Sequence, residues 1–351
     1  MELPAPPLPN QSPLRHLPQV ALVATGLLFV GLILFWLVVN FVDKPAEFYN
    51  LFLIGLTNGA VYGLVALGYS LVYGILELIN FAHGDVFMLG GMLTASLVGW
   101  WGLAGESGFA LWVGIIGLLV CAMAGCALLN TGIELVAYRR LRNAPRLAPL
   151  ITAIGMSYVL QNVGLIWKGA RPVSVPSILP QGTVFTLWGV SYTWDKFIVI
   201  LFTVPVLVVL VLLVQKTRQG KAMRATAQDR DAAAMMGIDV NRTISFTFFI
   251  AGALAGAGAL LFALYATNIR YYEGFRLGLF AFTAAVLGGI GNLPGAVLGA
   301  LVFGLVESFN NGFGLYTPGS DWTQSIIFAV LIVILVFRPE GLLGERTPEG
   351  G

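Results

Sequence analysis

Long apolar runs constrain this chain more than any other feature of its sequence. A helix needs about 20 mainly apolar residues to cross a bilayer, and residues 20–42 form a run of that length without a charged side chain. Hydrophobic residues make up 58% of the 351 residues and charged residues 10%, whereas soluble domains carry about 25% charged residues. Most of the chain is therefore predicted to lie in a membrane, in contact with lipid.

The apolar pattern predicts an all-α, polytopic integral membrane protein with about eight to ten transmembrane helices, some of them short or broken. Segments 277–290 and 295–309 are short for a bilayer, and the Gly-rich joint 288–294 lies between them. Irregular backbone at membrane depth is tolerated where it lines a cavity, so we expect these segments to line one. The candidate spans are 20–42, 51–73, 85–101, 110–137, 148–167, 197–214, 244–267, 277–290, 295–309 and 324–337.

Loop charges predict how these spans are oriented. Cytoplasmic loops carry an excess of Lys and Arg, and an N-in, C-in topology places thirteen of the 19 basic residues on the cytoplasmic side. The first apolar run is too long for a signal peptide, so we expect it to be retained. The predicted organisation is a Pro-rich cytoplasmic extension (1–19), a transmembrane domain (20–338) with a cytoplasmic loop (215–242) and a long external loop (168–196), and a cytoplasmic tail (339–351).

Charge and cysteine content exclude several other classes. The formal net charge is +2, which is too small for a nucleic-acid-binding surface. Cys121 and Cys126 lie in one apolar run, and on a helix they point away from each other, so neither a disulfide nor a metal site is predicted. The sequence offers no other metal-ligand spacing and no nucleophile–base set. We therefore expect no metal, no cofactor and no catalytic residue.

Polar side chains recur at helical spacing along one predicted span. On a helix they fall within about 100° of the circumference, and carboxylates or amides inside a membrane should face protein or water rather than lipid. Two interpretations remain open, namely a path for a small amphipathic solute and a buried structural network. The residues of this polar stripe are Asn58, Tyr62, Tyr69, Tyr73, Glu77 and Asn80.

Four other polar residues lie in or near the spans. His83 and Asp85 belong to the segment INFAHGD (79–85), which we interpret as a loop that they anchor through hydrogen bonds. Glu307, near the external end of its span, is a second candidate for the solute path. Glu134 precedes a basic run and is expected to pair with it. On this basis Glu77→Ala is expected to impair transport more than Glu134→Ala.

A charged cytoplasmic segment connects two of the spans. Residues 221–236 are rich in Ala, Met, Gln and Arg, which favour a helix. Gly237 stands where such a helix would end. The pattern predicts one short amphipathic helix, which either lies on anionic lipid or docks into a partner protein.

Several motifs resemble the permease subunits of branched-chain amino acid ABC importers, in particular their H-type subunit. They are NGAVYGLVALGYSLVYG (58–74), INFAHG (79–84), FTAAVLGGIG (282–291) and the ending RPEGLLG (338–344). The resemblance implies import of Leu, Ile or Val across a bacterial or archaeal plasma membrane. The same motifs occur in permeases for urea and short-chain amides, and that alternative remains open.

The resemblance also implies partners. The expected assembly contains a second permease chain, most simply in a heterodimer, two ATP-binding cassette ATPases and an extracytoplasmic substrate-binding protein. This chain has no G-x-x-x-x-G-K-[ST] loop, so ATP would be used by the partner ATPases. Residues 225–237 would form the coupling helix that docks on an ATPase. Its residues of interest are Ala225, Gln228, Asp229, Arg230 and Gly237.

Two other functional classes are alternatives to an importer. An ion-coupled secondary transporter would use carboxylates at mid-membrane depth, for which Glu77 and Glu307 are the candidates. An intramembrane enzyme would need a nucleophile–base or metal constellation, and none can be assembled from this sequence.

Overall fold

The computed structural model describes residues 17–142, 144–145, 147–180, 182–187, 189–313 and 319–344. The predicted N-terminal extension (1–19) lies almost entirely outside the described residues, and so does most of the predicted tail (339–351). The chain divides into two compact units, Met1–Phe48 and Tyr49–Gly351.

The first unit contains helix α1 (Leu17–Asp43), which is 27 residues long. Its length matches the first apolar span that the sequence predicts. After its end, the ammonium group of Lys44 lies 3.0 Å from the Glu47 carboxylate. The Phe41 and Phe48 rings meet edge to face, with centroids 5.4 Å apart.

Eleven helices follow in the described part of the chain, and seven of the described helical segments are long and apolar enough to cross a membrane. The all-α, polytopic class that the sequence predicted is confirmed, since every candidate span corresponds to a helix. The helices are α2 (Pro45–Leu76), α3 (Ala82–Trp100), α4 (Gly108–Ile133), α5 (Leu147–Lys168), α6 (Trp194–Lys216), α7 (Arg218–Gln228), α8 (Arg230–Met235), α9 (Val240–Ala266), α10 (Glu273–Gly288), α11 (Leu293–Gly312) and α12 (Thr323–Phe337).

The Gly-rich joint separates one short helix from one full-length helix. Helix α10 has 16 residues and is short, as predicted. Helix α11 has 20 residues, so the prediction that this segment is too short to span was wrong. The Asn292 side chain caps its start by accepting from the Gly295 amide at 3.0 Å, and the helix continues through polar residues to Gly312. Apolar content alone underestimated its length, because polar residues at its external end are also helical.

Glycines let the central helices approach one another closely. A Cβ added to Gly252 of α9 would lie 2.5 Å from the Cys126 carbonyl oxygen of α4. A Cβ on Gly59 of α2 would lie 2.8 Å from the Leu301 Cα of α11. Real Cβ atoms essentially never lie this close to another atom, so these helix contacts require glycine. Close packing through small residues is typical of helices in membranes.

The long external loop contains β-strands that the sequence analysis did not predict. Strands β2 (Thr183–Leu187) and β3 (Val190–Thr193) form an antiparallel hairpin. Strand β1 (Val173–Ser174) pairs with β4 (Asn268–Ile269), which follows α9. The Tyr192 hydroxyl lies 3.3 Å from the Thr57 hydroxyl of α2. The loop is therefore packed against the helices.

The charged segment that the sequence predicts to be cytoplasmic forms two helices, so the prediction of one helix over 221–236 was wrong. Asp229 has extended backbone with φ −156° between α7 and α8. Its carboxylate accepts from the amides of Asp231 and Ala232 at 2.9 and 3.0 Å. An Asp side chain that caps a new helix competes with continuation of the old one. Gly237, with φ +82°, follows α8 and ends it as predicted.

Candidate functional site

The outer part of the candidate site brings together three residues that the sequence singled out. The Tyr62 hydroxyl of α2 donates to Glu307 Oε2 of α11 at 2.8 Å. The Asn58 amide donates to the same oxygen at 3.4 Å. Both donors are uncharged, and among the described residues no cation forms an ion pair with this carboxylate.

An aromatic cluster and one arginine adjoin this carboxylate. The Tyr62 ring lies 6.3 Å from the Phe280 ring and 5.4 Å from the Phe303 ring, measured between centroids. The Arg276 guanidinium lies 6.0 Å from the centre of Phe280 and acts electrostatically on Glu307. Arg276 lies in the first turn of α10 and was not predicted from the sequence as a site residue. Arg276 precedes Phe280 by one helical turn, and this spacing could have identified Arg276 from the sequence.

The middle of the candidate site contains Tyr69 and His83, both buried. Their rings meet edge to face with centroids 4.9 Å apart, and the Phe282 ring lies 5.9 Å from Tyr69. The Tyr69 hydroxyl faces α10, since a Cβ on Gly278 would lie 2.9 Å from it. Helices α2, α3 and α10 therefore meet here.

His83 and Asp85 lie in the first turn of α3 and not in a loop, which corrects the assignment made from the sequence. A small residue lets this turn pack closely against α10, since a Cβ on Gly84 would lie 2.6 Å from the Gly278 Cα. Asp85 is fully buried and accepts a hydrogen bond from the Ser157 hydroxyl of α5. Asp85 therefore joins two helices.

Gln161 extends this contact within α5. Its amide donates to the Ser157 hydroxyl at 3.1 Å. The sequence analysis did not select either α5 residue, although two polar residues four positions apart in an apolar helix are a usable signal. Together these two bonds connect Asp85 of α3 to Ser157 and Gln161 of α5.

The inner part of the polar stripe does not continue on α2. The helix ends at Leu76, and Glu77 is exposed with a left-handed φ of +54°. Tyr73 is half-buried in the last turn. Asn80 is buried, and its side-chain oxygen accepts from the Tyr138 hydroxyl at 2.7 Å. The expectation of six residues on one helix face was wrong for Glu77 and Asn80, because the helix ends before them.

Glu134 lies in a buried ionic cluster at the end of the bundle that the loop charges predict to be cytoplasmic. Its carboxylate binds the Arg142 guanidinium, lies 3.5 Å from Arg139 Nε and accepts from the Ser245 hydroxyl at 2.7 Å. The predicted pairing with the basic run is confirmed. Burial lowers the pKa of Arg142, and the charge of Glu134 acts in the opposite direction.

The proposed coupling segment lies beside a cavity of about 300 Å³. Thr226, Gln228, Asp229 and Arg230 line one wall, and the end of α2 with Glu77 lines another. A third wall contains Arg142, Ala144 and Pro149. The three chain segments that meet here were all predicted to be cytoplasmic, so the cavity agrees with that topology. Ala225 lies in α7, and Gly237 follows α8.

One hydrogen bond joins the coupling segment to α2. The Arg230 guanidinium donates to the Ile75 carbonyl oxygen at 3.0 Å. Among the described residues, no group of three or more His, Cys, Asp or Glu could hold a metal ion. Cys121 and Cys126 are both free thiols.

Comparison with known proteins identifies the class to which these features belong. Residues 51–336 match the family described as the permease component of branched-chain amino acid transport systems. The chain is 38% identical over 302 residues to the high-affinity branched-chain amino acid transport system permease protein BraD of Pseudomonas aeruginosa, covering 84% of this chain and 95% of that protein. It is 37% identical over 300 residues to LivH of Escherichia coli K12, with the same coverage.

Among solved structures, a chain of "PsaBC from Streptococcus pneumoniae in complex with Fab" aligns with 85% of this chain and 93% of its own length. The TM-score is 0.43 and the sequence identity 16%. A likeness at this level carries no inference about function.

Proposed function

Because the chain belongs to the permease family of branched-chain amino acid transport systems, we propose that it forms the membrane path by which an ATP-binding cassette importer takes up Leu, Ile and Val. It is a multi-pass protein of the plasma membrane. The observation that carries the proposed path is the Glu307 carboxylate, which Tyr62 and Asn58 hold at membrane depth. Glu307 is half-buried, and a carboxylate within a membrane span is costly and indicates a solute path.

The substrate class follows from the charges beside this carboxylate. A free amino acid carries an ammonium and a carboxylate group. Glu307 offers the first a negative partner, and Arg276 offers the second a positive one. The aromatic rings of Phe280 and Phe303 supply apolar surface for a branched side chain. Urea and short amides have no charges to pair, so the same groups favour an amino acid over that alternative.

We assign the ATP hydrolysis that drives transport to partner subunits. The chain has no phosphate-binding loop for ATP, so one of two separate ATPases is proposed to dock on the segment formed by α7 and α8. Met235 and Met236 are 82% and 84% exposed at its end. Flexible, polarisable methionines suit a protein-binding surface. A second permease chain and an extracytoplasmic binding protein complete the proposed assembly.

Uptake of labelled leucine and labelled urea in the native host, with and without the gene, tests the proposal. An ABC importer of amino acids is supported if deletion of the gene abolishes a leucine uptake that stops on ATP depletion. A protonophore should leave that uptake intact while ATP is maintained. Loss of urea uptake alone would replace the substrate. Leucine uptake that follows the proton gradient instead of ATP would favour a secondary transporter.

Variants then test the path itself. We expect Glu307→Gln and Arg276→Gln to lower leucine uptake by about tenfold each, the effect of losing one charged hydrogen-bond partner. Glu106→Gln and Arg171→Gln are matched controls, because both residues are exposed on the external side. Equal uptake by all four variants would show that these charges do not contact the substrate.

A further inference from the structure

The last turn of α2 presents a backbone carbonyl, that of Ile75, to which a cation from outside the helix binds. The last carbonyls of a helix have no partner within it and carry partial negative charge. The left-handed backbone of Glu77 ends α2, while its amide still donates to the Tyr73 carbonyl at 2.7 Å. The Ile75 carbonyl thus lies in the final turn and points out of the helix.

Arg230 supplies that cation from a remote part of the chain. Its guanidinium donates to the Ile75 carbonyl oxygen at 3.0 Å across 155 positions of sequence. Arg230 is the first residue of α8, and the Asp229 cap fixes the backbone there. This bond is charge-assisted, and such bonds are about twice as strong as hydrogen bonds between neutral groups.

The cavity beside this bond leaves room for α2 and the coupling segment to move relative to each other. The 300 Å³ cavity lies between the end of α2 and the segment that contains Asp229 and Arg230. Close-packed interiors resist relative motion, whereas two elements separated by a cavity can move apart or together. The bond from Arg230 crosses from one wall of the cavity to the other.

The opposite end of α8 is available to a partner. Met235 and Met236 are exposed there, while the start of the same short helix holds α2. A force applied to α8 therefore reaches α2 through Arg230. Helix α2 carries Tyr62 and Asn58, which hold Glu307.

We propose that Arg230 is a positioning residue that fastens α2 to the coupling segment, so that movement of a docked ATPase is delivered directly to the helix of the solute path. This inference rests on the proposed function, because it assumes that α7 and α8 dock on an ATPase. Arg230 contacts neither the solute nor ATP. Its role is to join two moving elements.

The experiment uses the complete complex, with permeases and ATPases in proteoliposomes and the binding protein added with labelled leucine. For Arg230→Gln we expect leucine imported per ATP hydrolysed to fall at least about tenfold, while the ATPase subunits stay bound and basal hydrolysis continues. Arg230→Lys restores part of the ratio, because a lysine keeps the charge without the forked donor. Arg140→Gln, at an exposed cytoplasmic arginine outside the coupling segment, leaves the ratio unchanged.

Hydrogen exchange in the assembled complex gives a second readout. Arg230→Gln should speed amide exchange in the last turn of α2 and in residues 77–81, and Arg140→Gln should not. A wild-type import-to-hydrolysis ratio in Arg230→Gln would overturn the inference. Loss of the ATPase subunits from that variant would also overturn it, because Arg230 would then act in docking. A wild-type complex that imports no leucine would instead refute the proposed function.

Discussion

Removal of the Glu134 carboxylate should unfold this protein far more readily than removal of the Glu77 carboxylate. Glu134 has 0% exposure and binds Arg142, whose side chain is 9% exposed. It also accepts from Ser245. In Glu134→Ala the Arg142 charge would stay buried. Its remaining hydrogen-bond partner would be the Asn241 side chain, 2.5 Å away.

The magnitude follows from this geometry. Breaking a buried ion pair by removing one partner costs about 3–5 kcal/mol. The retained bond to Asn241 favours the lower end, so we expect a loss of about 3 kcal/mol. This corresponds to about a hundredfold change in the unfolding equilibrium, because about 1.4 kcal/mol is a factor of ten. Total stabilities are only about 5–15 kcal/mol, so the loss is severe.

Equilibrium unfolding of the purified chain in mixed detergent micelles measures this effect. Glu77→Ala is the matched control, since Glu77 is exposed and exposed substitutions change stability by about 0.5 kcal/mol or less. Glu134→Gln should fall between the two variants, because the amide still accepts from Ser245 but does not neutralise Arg142. If Glu134→Ala and Glu77→Ala unfold alike, the buried ion pair does not stabilise the fold and the reasoning fails.

Three other substitutions have defined outcomes. Tyr62→Phe keeps the ring but loses the 2.8 Å bond to Glu307, so the KM for leucine uptake should rise several-fold, by about the cost of one hydrogen bond; an unchanged KM would separate Tyr62 from the path. Asp229→Ala removes the cap of α8 at about 1 kcal/mol, and we expect reduced leucine uptake with normal amounts of protein in the membrane, whereas Asp229→Asn keeps uptake. Gly252→Val should lower the folded yield in size-exclusion chromatography, because a Cβ there would lie 2.5 Å from a carbonyl oxygen of α4. Gly155→Ala, with nothing within 4 Å of the added carbon, should leave that yield unchanged.

The comparison of Glu77 with Glu134 shows where sequence reasoning failed. Both are glutamates near the cytoplasmic ends of apolar segments, and the sequence favoured Glu77 because it continued a helical spacing. That spacing holds only while the chain stays helical, and α2 ends one residue before Glu77. Glu134 owes its burial to Ser245 and Arg142, and their proximity depends on how the helices pack.

The candidate site was foreseen in part. Spacing placed Asn58 and Tyr62 on one helix face, and both meet the independently selected Glu307. Arg276 was missed because the predicted span began at residue 277, whereas α10 begins at Glu273 and includes it. The partners Ser157 and Gln161 were missed because nothing local to α5 shows which buried acid they face.

The sequence by itself determined that the chain spans a membrane as an all-α bundle, because apolar run length is a local property that the bilayer thickness selects. It also determined the helix end at Gly237, where glycine adopts a left-handed φ that other residues rarely adopt. The tertiary structure alone decided that Arg230 reaches the end of α2, that Glu134 is buried and that the external loop forms strands. Each of these depends on residues far apart in sequence, and their approach is set by the packing of whole helices and not by local pattern.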